Sequence, residues 1–199
     1  MSTRGFDWTG LAVLSLRSPR DAAAVLIGWQ LPRSVIWTAL ALVCCCNAIF
    51  AGLSEMLFPA PVGMMPPVLL NPLMLFLLLT GGLVVSVHIL LWAGRAVGGQ
   101  GALEDVAVVL TWLQALRVVA QVILLVLLIV SPTLAGLFSI TVMFMGLWIM
   151  ANFIAQALSF DTAWKAFGLM VALTVGFMFG VIVLLLITGL GAWGLDANV

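Results

Sequence analysis

Residues 106–130 read VAVVLTWLQALRVVAQVILLVLLIV, followed by Ser131-Pro132-Thr133 and then LAGLFSITVMFMGLWIMANFIAQA over 134–157. Each long stretch exceeds the roughly 20 residues, at about 1.5 Å of rise each, that carry an α-helix across hydrocarbon. The three residues between them can do little except reverse the chain. The two stretches therefore read as an antiparallel hairpin of membrane helices. Neither shows the alternation of period two that a transmembrane β-strand requires, so the fold reads as all-α.

Three further apolar runs extend this reading outward: about 35–53, about 68–92 after the Pro-rich turn Pro59 through Pro67, and within 166–190. The whole chain has 199 residues, 65% hydrophobic and 7% charged, where a soluble domain carries about 25% charged residues. Its seven basic and seven acidic side chains cannot clothe a water-exposed globule, so the lipid bilayer is the implied solvent and first partner. A net charge of zero, with no basic stripe, speaks against nucleic acid. The first 33 residues are too polar for a secretory leader, and no cleavage is expected. Cys44, Cys45 and Cys46 are adjacent and project about 100° apart on a helix, so they read as small apolar filling, with no metal or redox site.

The division that follows is a cytoplasmic N-terminal segment over 1–33, a five-span domain over 34–190 and a short tail over 191–199. Residues 1–17 read as loosely ordered. Ser18-Pro19-Arg20-Asp21 signals a helix start, with Ser18 at the N-cap and Pro19 in the first helical position. Ala22, Val25, Leu26 and Trp29 then share one side, which predicts a short amphipathic helix over 19–31 lying in the headgroup layer. With five spans, Arg4, Arg17, Arg20, Arg33, Arg95 and Lys165 fall on one side. The opposite side has no Lys or Arg, only Glu55 and Asp196. That bias predicts a cytoplasmic N-terminus and a non-cytoplasmic C-terminus. Trp37, Trp92, Trp112 and Trp164 fall near the basic boundary and Trp193 near the other, as an aromatic belt does.

Few side chains inside the spans carry chemistry. Arg117 either lies deep in the bilayer, at roughly 2.5–3.5 kcal/mol on insertion scales, or snorkels to the headgroups from a span that starts near Trp112. Gln114 and Gln121 share its helix face, so an interhelical polar network of Arg117 and Gln121 with His88, Asn152 and Gln156 is the competing reading. His88 alone reads as an interhelical hydrogen-bonder. Glu104 and Asp105 diverge on a helix and suit its N-terminus electrostatically. Gly98-Gly99-Gln100-Gly101 lacks the Lys and Ser/Thr of a phosphate-binding loop and reads as a tight turn. Gly176 and Gly180 form a GxxxG that lets another helix approach. No catalytic, cofactor-binding or metal-ligating constellation emerges.

The run from His88 through Trp92, Arg95, Gly98, Gly99 and Gly101, followed by a helix start and a long span, resembles the Yip1-domain family, particularly its bacterial members. The run from Trp148 through Asn152 and Gln156 to Trp164-Lys165-Ala166-Phe167 is similar to that family's junction into its last span. The resemblance covers most of residues 18–190; Arg117 departs from it, standing near where many relatives have Pro. It implies a five-span membrane protein. Eukaryotic relatives bind Rab GTPases in vesicle trafficking, bacterial relatives have no well-defined activity, and the family lends no catalytic residues to this chain. One Lys, no Tyr and a richness in Ala, Gly, Val and Leu look like a GC-rich bacterial genome, hence an inner membrane. The function expected is a non-enzymatic scaffold that binds other membrane proteins or itself, with Arg20, Arg33, Arg95 and Lys165 on its cytoplasmic face. The alternative is a transporter or channel component with a polar path through spans two to four.

Overall fold

The computed structural model describes residues 7–59 and 71–188, apart from the side chains of Leu185 and Thr188. Seven helices make up the described chain: α1 (Trp8–Arg17), α2 (Pro19–Gly28), α3 (Arg33–Leu57), α4 (Pro72–Ala96), α5 (Leu103–Val130), α6 (Pro132–Ala157) and α7 (Ala163–Thr188). The last five are the helices long and apolar enough to cross a membrane. Arg4, most of the Pro-rich turn, the expected start of the second span near Val68, the end of the last span at Leu190, Trp193 and Asp196 lie outside the described residues.

Caps set the helix ends where polar residues were available. Asn71 accepts from the N–H groups of Leu73 and Met74 ahead of Pro72, and the Ser131 hydroxyl accepts from Leu134 N–H ahead of Pro132. Each offers an oxygen to donors that have no partner in the first turn of a helix, and each is followed by a Pro whose missing N–H costs nothing there. Ser131 and Pro132 thus close the α5–α6 hairpin, and these two helices pack along each other as the three-residue turn requires. α5 is central, touching α2, α3, α4 and α6, while α7 leans on α6 and one part of α4.

The N-terminal segment departs from its sequence reading in four ways. Residues 8–17 are helical rather than loosely ordered, because Asp7 caps the first turn and Leu11 and Ser15 are buried. The Ser18 side chain makes no capping bond, and α2 ends at Gly28, with Gln30 in the left-handed region at φ 46°. The buried side of α2 is Pro19, Ala22, Ala23 and Leu26, while Val25, expected on the apolar face, is 43% exposed. Two alanines with no exposed surface let α2 come close to α6, so this helix is a layer of the bundle over its basic end.

Burial is concentrated at that same end. Val106–Thr111 of α5, Ala151–Ala155 of α6, Leu90, Leu91, Ala93 and Gly94 of α4, and Ile36 and Leu40 of α3 are buried, with Phe153 fully enclosed. Towards the other end, large apolar side chains such as Ile129, Val130, Leu137, Phe144 and Phe179 stand exposed, as lipid-facing residues do. α1 joins the packed end through aromatic contacts: Trp8 stacks on Trp112 at 5.9 Å and meets Trp29 edge-on at 5.9 Å.

The Asp7 carboxylate accepts from Gly10 N–H and from the Thr9 hydroxyl, which hold its pKa below the usual 3.8. A group lowered by folding stabilises the fold above its unfolded pKa and loses that contribution as pH falls through the folded value. Acidification from pH 6 to pH 3 is therefore expected to fray α1 and to shift the fluorescence of the Trp8–Trp112 stack. Asp7→Asn, which caps without titrating, should abolish the pH-dependent part of that shift.

Candidate functional site

The polar groups of the chain converge where α4 turns into α5 and α6 turns into α7. Both helices stop in the same way. In α4, Gly98 lies at φ 91°, its N–H reaches back to Arg95 O at 3.1 Å, and Gly99 N–H reaches Gly94 O at 2.8 Å. In α6, Ser159 lies at φ 57°, its N–H reaches Gln156 O at 3.1 Å, and Phe160 N–H reaches Ala155 O at 2.7 Å. These paired back-bonds satisfy the last carbonyls of a helix and need one left-handed residue each, a position that favours Gly.

The two helix ends then bind each other. Gln100 N–H donates to Leu158 O at 3.0 Å, the free carbonyl at the end of α6. This bond requires backbones to touch. A Cβ on Gly101 would stand 2.0 Å from Ala157 O, and one on Gly99 would stand 2.9 Å from Gly94 O and 3.2 Å from Leu158 O. On Gly94 it would meet the Leu158 side chain at 2.5 Å. The Gly98–Gly101 segment is thus a docking strip against α6 as well as a tight turn.

Basic side chains lock the strip and its neighbours. Arg20 of α2 donates to Phe160 O, and at 3.1 Å to Asp161 O. Arg95 donates to Gly101 O at 3.2 Å, and Lys165 lies 3.8 Å from Asp161. Arg33 pairs with Glu104, although its side chain is 72% exposed. An exposed pair of this kind contributes about 0–1 kcal/mol. The neighbouring Asp105 accepts from Ala102 N–H at 2.9 Å, a cap at the start of α5. Trp112 Nε1 donates to the buried Ser15 hydroxyl at 2.9 Å, tying α5 to α1. Arg20, Arg33, Arg95 and Lys165 lie at one end of the bundle, each with a partner inside the chain. The carbonyls of Phe160 and Asp161 that receive Arg20 carry no signal in a sequence.

The residues considered for an intramembrane network are not brought together. His88 Nδ1 lies 2.8 Å from Val84 O on its own helix, and its ring stacks on Trp37. Asn152 donates to Trp148 O, also on its own helix. Gln121 lines a cavity of about 330 Å³ between α3, α4 and α5 that Glu55 and Pro72 share. Arg117 and Gln114 face a separate groove between α5 and α6. Among the described residues, no hydrogen bond joins any two of His88, Arg117, Gln121, Asn152 and Gln156. The space around Gly176 and Gly180 of α7 is open, with nothing within 4 Å of an added Cβ. Cys44 is buried, Cys45 exposed and Cys46 intermediate, all unbridged, and no His/Cys/Asp/Glu cluster that could hold a metal ion occurs among the described residues.

Five apolar helices, tied at one end by a backbone clamp, define a multi-pass helical membrane protein. The family model of the Yip1 domain matches residues 13–187, most of the chain, and the chain belongs to that family. No curated protein and no solved structure matches it.

Three substitutions, two at the clamp and one control in α4, test this arrangement. Gly101→Ala should destabilise the protein by about 1–3 kcal/mol in detergent unfolding, since the intruding methyl meets a backbone oxygen that cannot step aside. Gly82→Ala in α4, where an added Cβ meets nothing, should be neutral or stabilising by up to about 1 kcal/mol. Ser159→Gly should raise stability by up to about 1 kcal/mol by relieving the left-handed strain at an exposed position.

Proposed function

We propose that this protein is a non-enzymatic scaffold of a bacterial cytoplasmic membrane, and that its basic end is the cytoplasmic face on which partners assemble. The observation that carries the reading is the use made of polar chemistry at that end. Arg20, Arg95 and the Gly99–Gly101 backbone are engaged in fixing helix ends to their neighbours, and Asp105 caps the start of α5, which makes a rigid platform. Trp92 and Trp164 remain 77% and 79% exposed at its edge, and the Arg33 and Lys165 side chains stay largely accessible. Aromatic and basic groups on a preorganised surface suit both headgroups and a protein partner.

The asymmetry of Lys and Arg supports the orientation, with the N-terminus inside and the C-terminus outside. Partners expected on this reading are other membrane proteins or further copies of the chain, and nucleic acid is not among them. The separate surroundings of His88, Arg117, Gln121 and Asn152 favour this reading over a polar path through spans two to four.

The test is co-purification from native membranes in gentle detergent, with wild type set beside the double variant Arg33→Glu/Lys165→Glu. Both changes fall on exposed side chains, so thermal unfolding should stay close to wild type. The expected result is loss of a protein partner from the variant. An identical set of partners would remove the proposal, and reporter fusions placing both chain ends in one compartment would remove the orientation.

A further inference from the structure

A groove of about 590 Å³ runs between α5 and α6, with Ala12 and Leu16 of α1 at one end. Phe138, Met143 and Gly146 line it from α6. Its walls are apolar apart from Arg117 and Gln114. Arg117 is exposed, and no acceptor among the described residues takes a hydrogen bond or ion pair from its guanidinium. Arg20, Arg33, Arg95 and Lys165 at the clamp each have a partner inside the chain. Arg117, like Arg17, has none among the described residues.

Depth decides what can sit there. Counting back from Val130, the roughly 20 residues that span hydrocarbon reach Thr111, so the Arg117 backbone lies about 9 Å inside the boundary on the basic side. A guanidinium on its flexible stem reaches the headgroup layer from that depth. The burial of Val106–Thr111 by protein agrees with this boundary, since that part of α5 stands above the lipid and needs protein cover. The groove therefore opens onto acyl chains along its length, with a cation where a phosphate lies. An unpaired cation in an apolar wall is costly, and a partner of opposite charge offsets that cost.

We infer that the α5–α6 groove is a binding site for an anionic phospholipid, with one acyl chain along Phe138, Met143 and Gly146 and the phosphate on Arg117. The planar guanidinium donates two parallel N–H bonds to phosphate oxygens, a geometry that an ammonium does not reproduce. Arg17, the residue after Leu16, adds a second cation to the last turn of α1. The site is independent of any protein partner at the basic end.

Native mass spectrometry of the full chain in detergent tests it, with phosphatidylglycerol and phosphatidylcholine as probes. Wild type is expected to retain phosphatidylglycerol at least tenfold more strongly than phosphatidylcholine; equal retention overturns the site without recourse to any variant. Arg117→Gln should lose at least tenfold in phosphatidylglycerol affinity. Gly146→Phe, which fills open space in the groove, should do the same while the Arg117 charge remains. Lys165→Gln, which removes a cation from the same end but not from the groove, should bind as wild type does. Undiminished binding by either groove variant, or an equal loss in Lys165→Gln, overturns the proposal. So does displacement of the lipid by glycerol phosphate at similar concentration, which would make the groove irrelevant.

Discussion

A helix that ends inside a protein must do something with its last carbonyls, and two helices here solve the problem jointly. α4 and α6 each close on a left-handed residue, and the carbonyl left over at Leu158 accepts from Gln100 N–H. That bond requires two backbones in van der Waals contact, which is why Gly99 and Gly101 have no room for a side chain. The contact fixes the end of the second span against the end of the fourth. Because α5 begins at Leu103 and α7 at Ala163, it also fixes where the third and fifth spans enter. Arg20 and Arg95 then have stationary carbonyls to bind. Without the backbone contact their acceptors would have no defined place.

The uneven distribution of burial follows from the two solvents. Between helices in hydrocarbon there is little hydrophobic driving force, since lipid tails are as apolar as leucine, and association rests on close packing and hydrogen bonds. Where the chain emerges from lipid, burial of apolar surface becomes favourable again at about 25 cal/mol per Å². The packed end has both contributions. Ala22 and Ala23 bring α2 against α6, and Phe153, Ile154 and Leu158 fill the space beneath. Further along, Val119, Val126 and Ile129 of α5 are more than half exposed. α7 is an extreme case, with Phe177, Met178 and Phe179 exposed in succession. These are residues for which lipid is a sufficient neighbour.

The spans were legible because hydrocarbon imposes a length and a composition on any helix that crosses it, and Ser131-Pro132-Thr133 permits no other connection. The convergence of Arg20, Arg33, Arg95 and Lys165 on one end was equally legible, as a consequence of an odd number of crossings. What was hidden is what those residues bind. Arg20 meets the carbonyls of residues 140 and 141 positions away, and periodicity carries no information about such a contact. Helical order in 8–17 was hidden for a partly related reason: beside the local Asp7 cap it draws on Trp8 against Trp112 and on the Trp112 indole N–H bound to Ser15, both long-range. Val25 is exposed, against what its spacing predicts, because helix spacing gives a face only to within a residue, and the small side chains of Ala22 and Ala23 choose the closer packing. In sequence, the glycines at 98, 99 and 101 signal freedom to turn. Gly98 does supply that freedom, whereas Gly99 and Gly101 supply the absence of a side chain.

Polar residues within the spans show why chemistry collects at the end of this bundle and not in its middle. Ser86, Thr111, Thr141 and Thr174 each donate to the carbonyl four residues back, and Asn152 does the same. His88 turns a ring nitrogen to the equivalent carbonyl. Such a bond keeps the polar atom satisfied in hydrocarbon without a second helix, and it leaves little capacity to bind anything else. Asn47 goes further, reaching Gln114 O on α5 at 3.4 Å in addition to Val43 O. Even this contact is between the chain and itself. A guanidinium cannot be satisfied in the same way, because five donors exceed what one turn of helix offers. The arginines of this protein must therefore find carbonyls at a helix end, a carboxylate on another helix, or an acceptor supplied by the membrane.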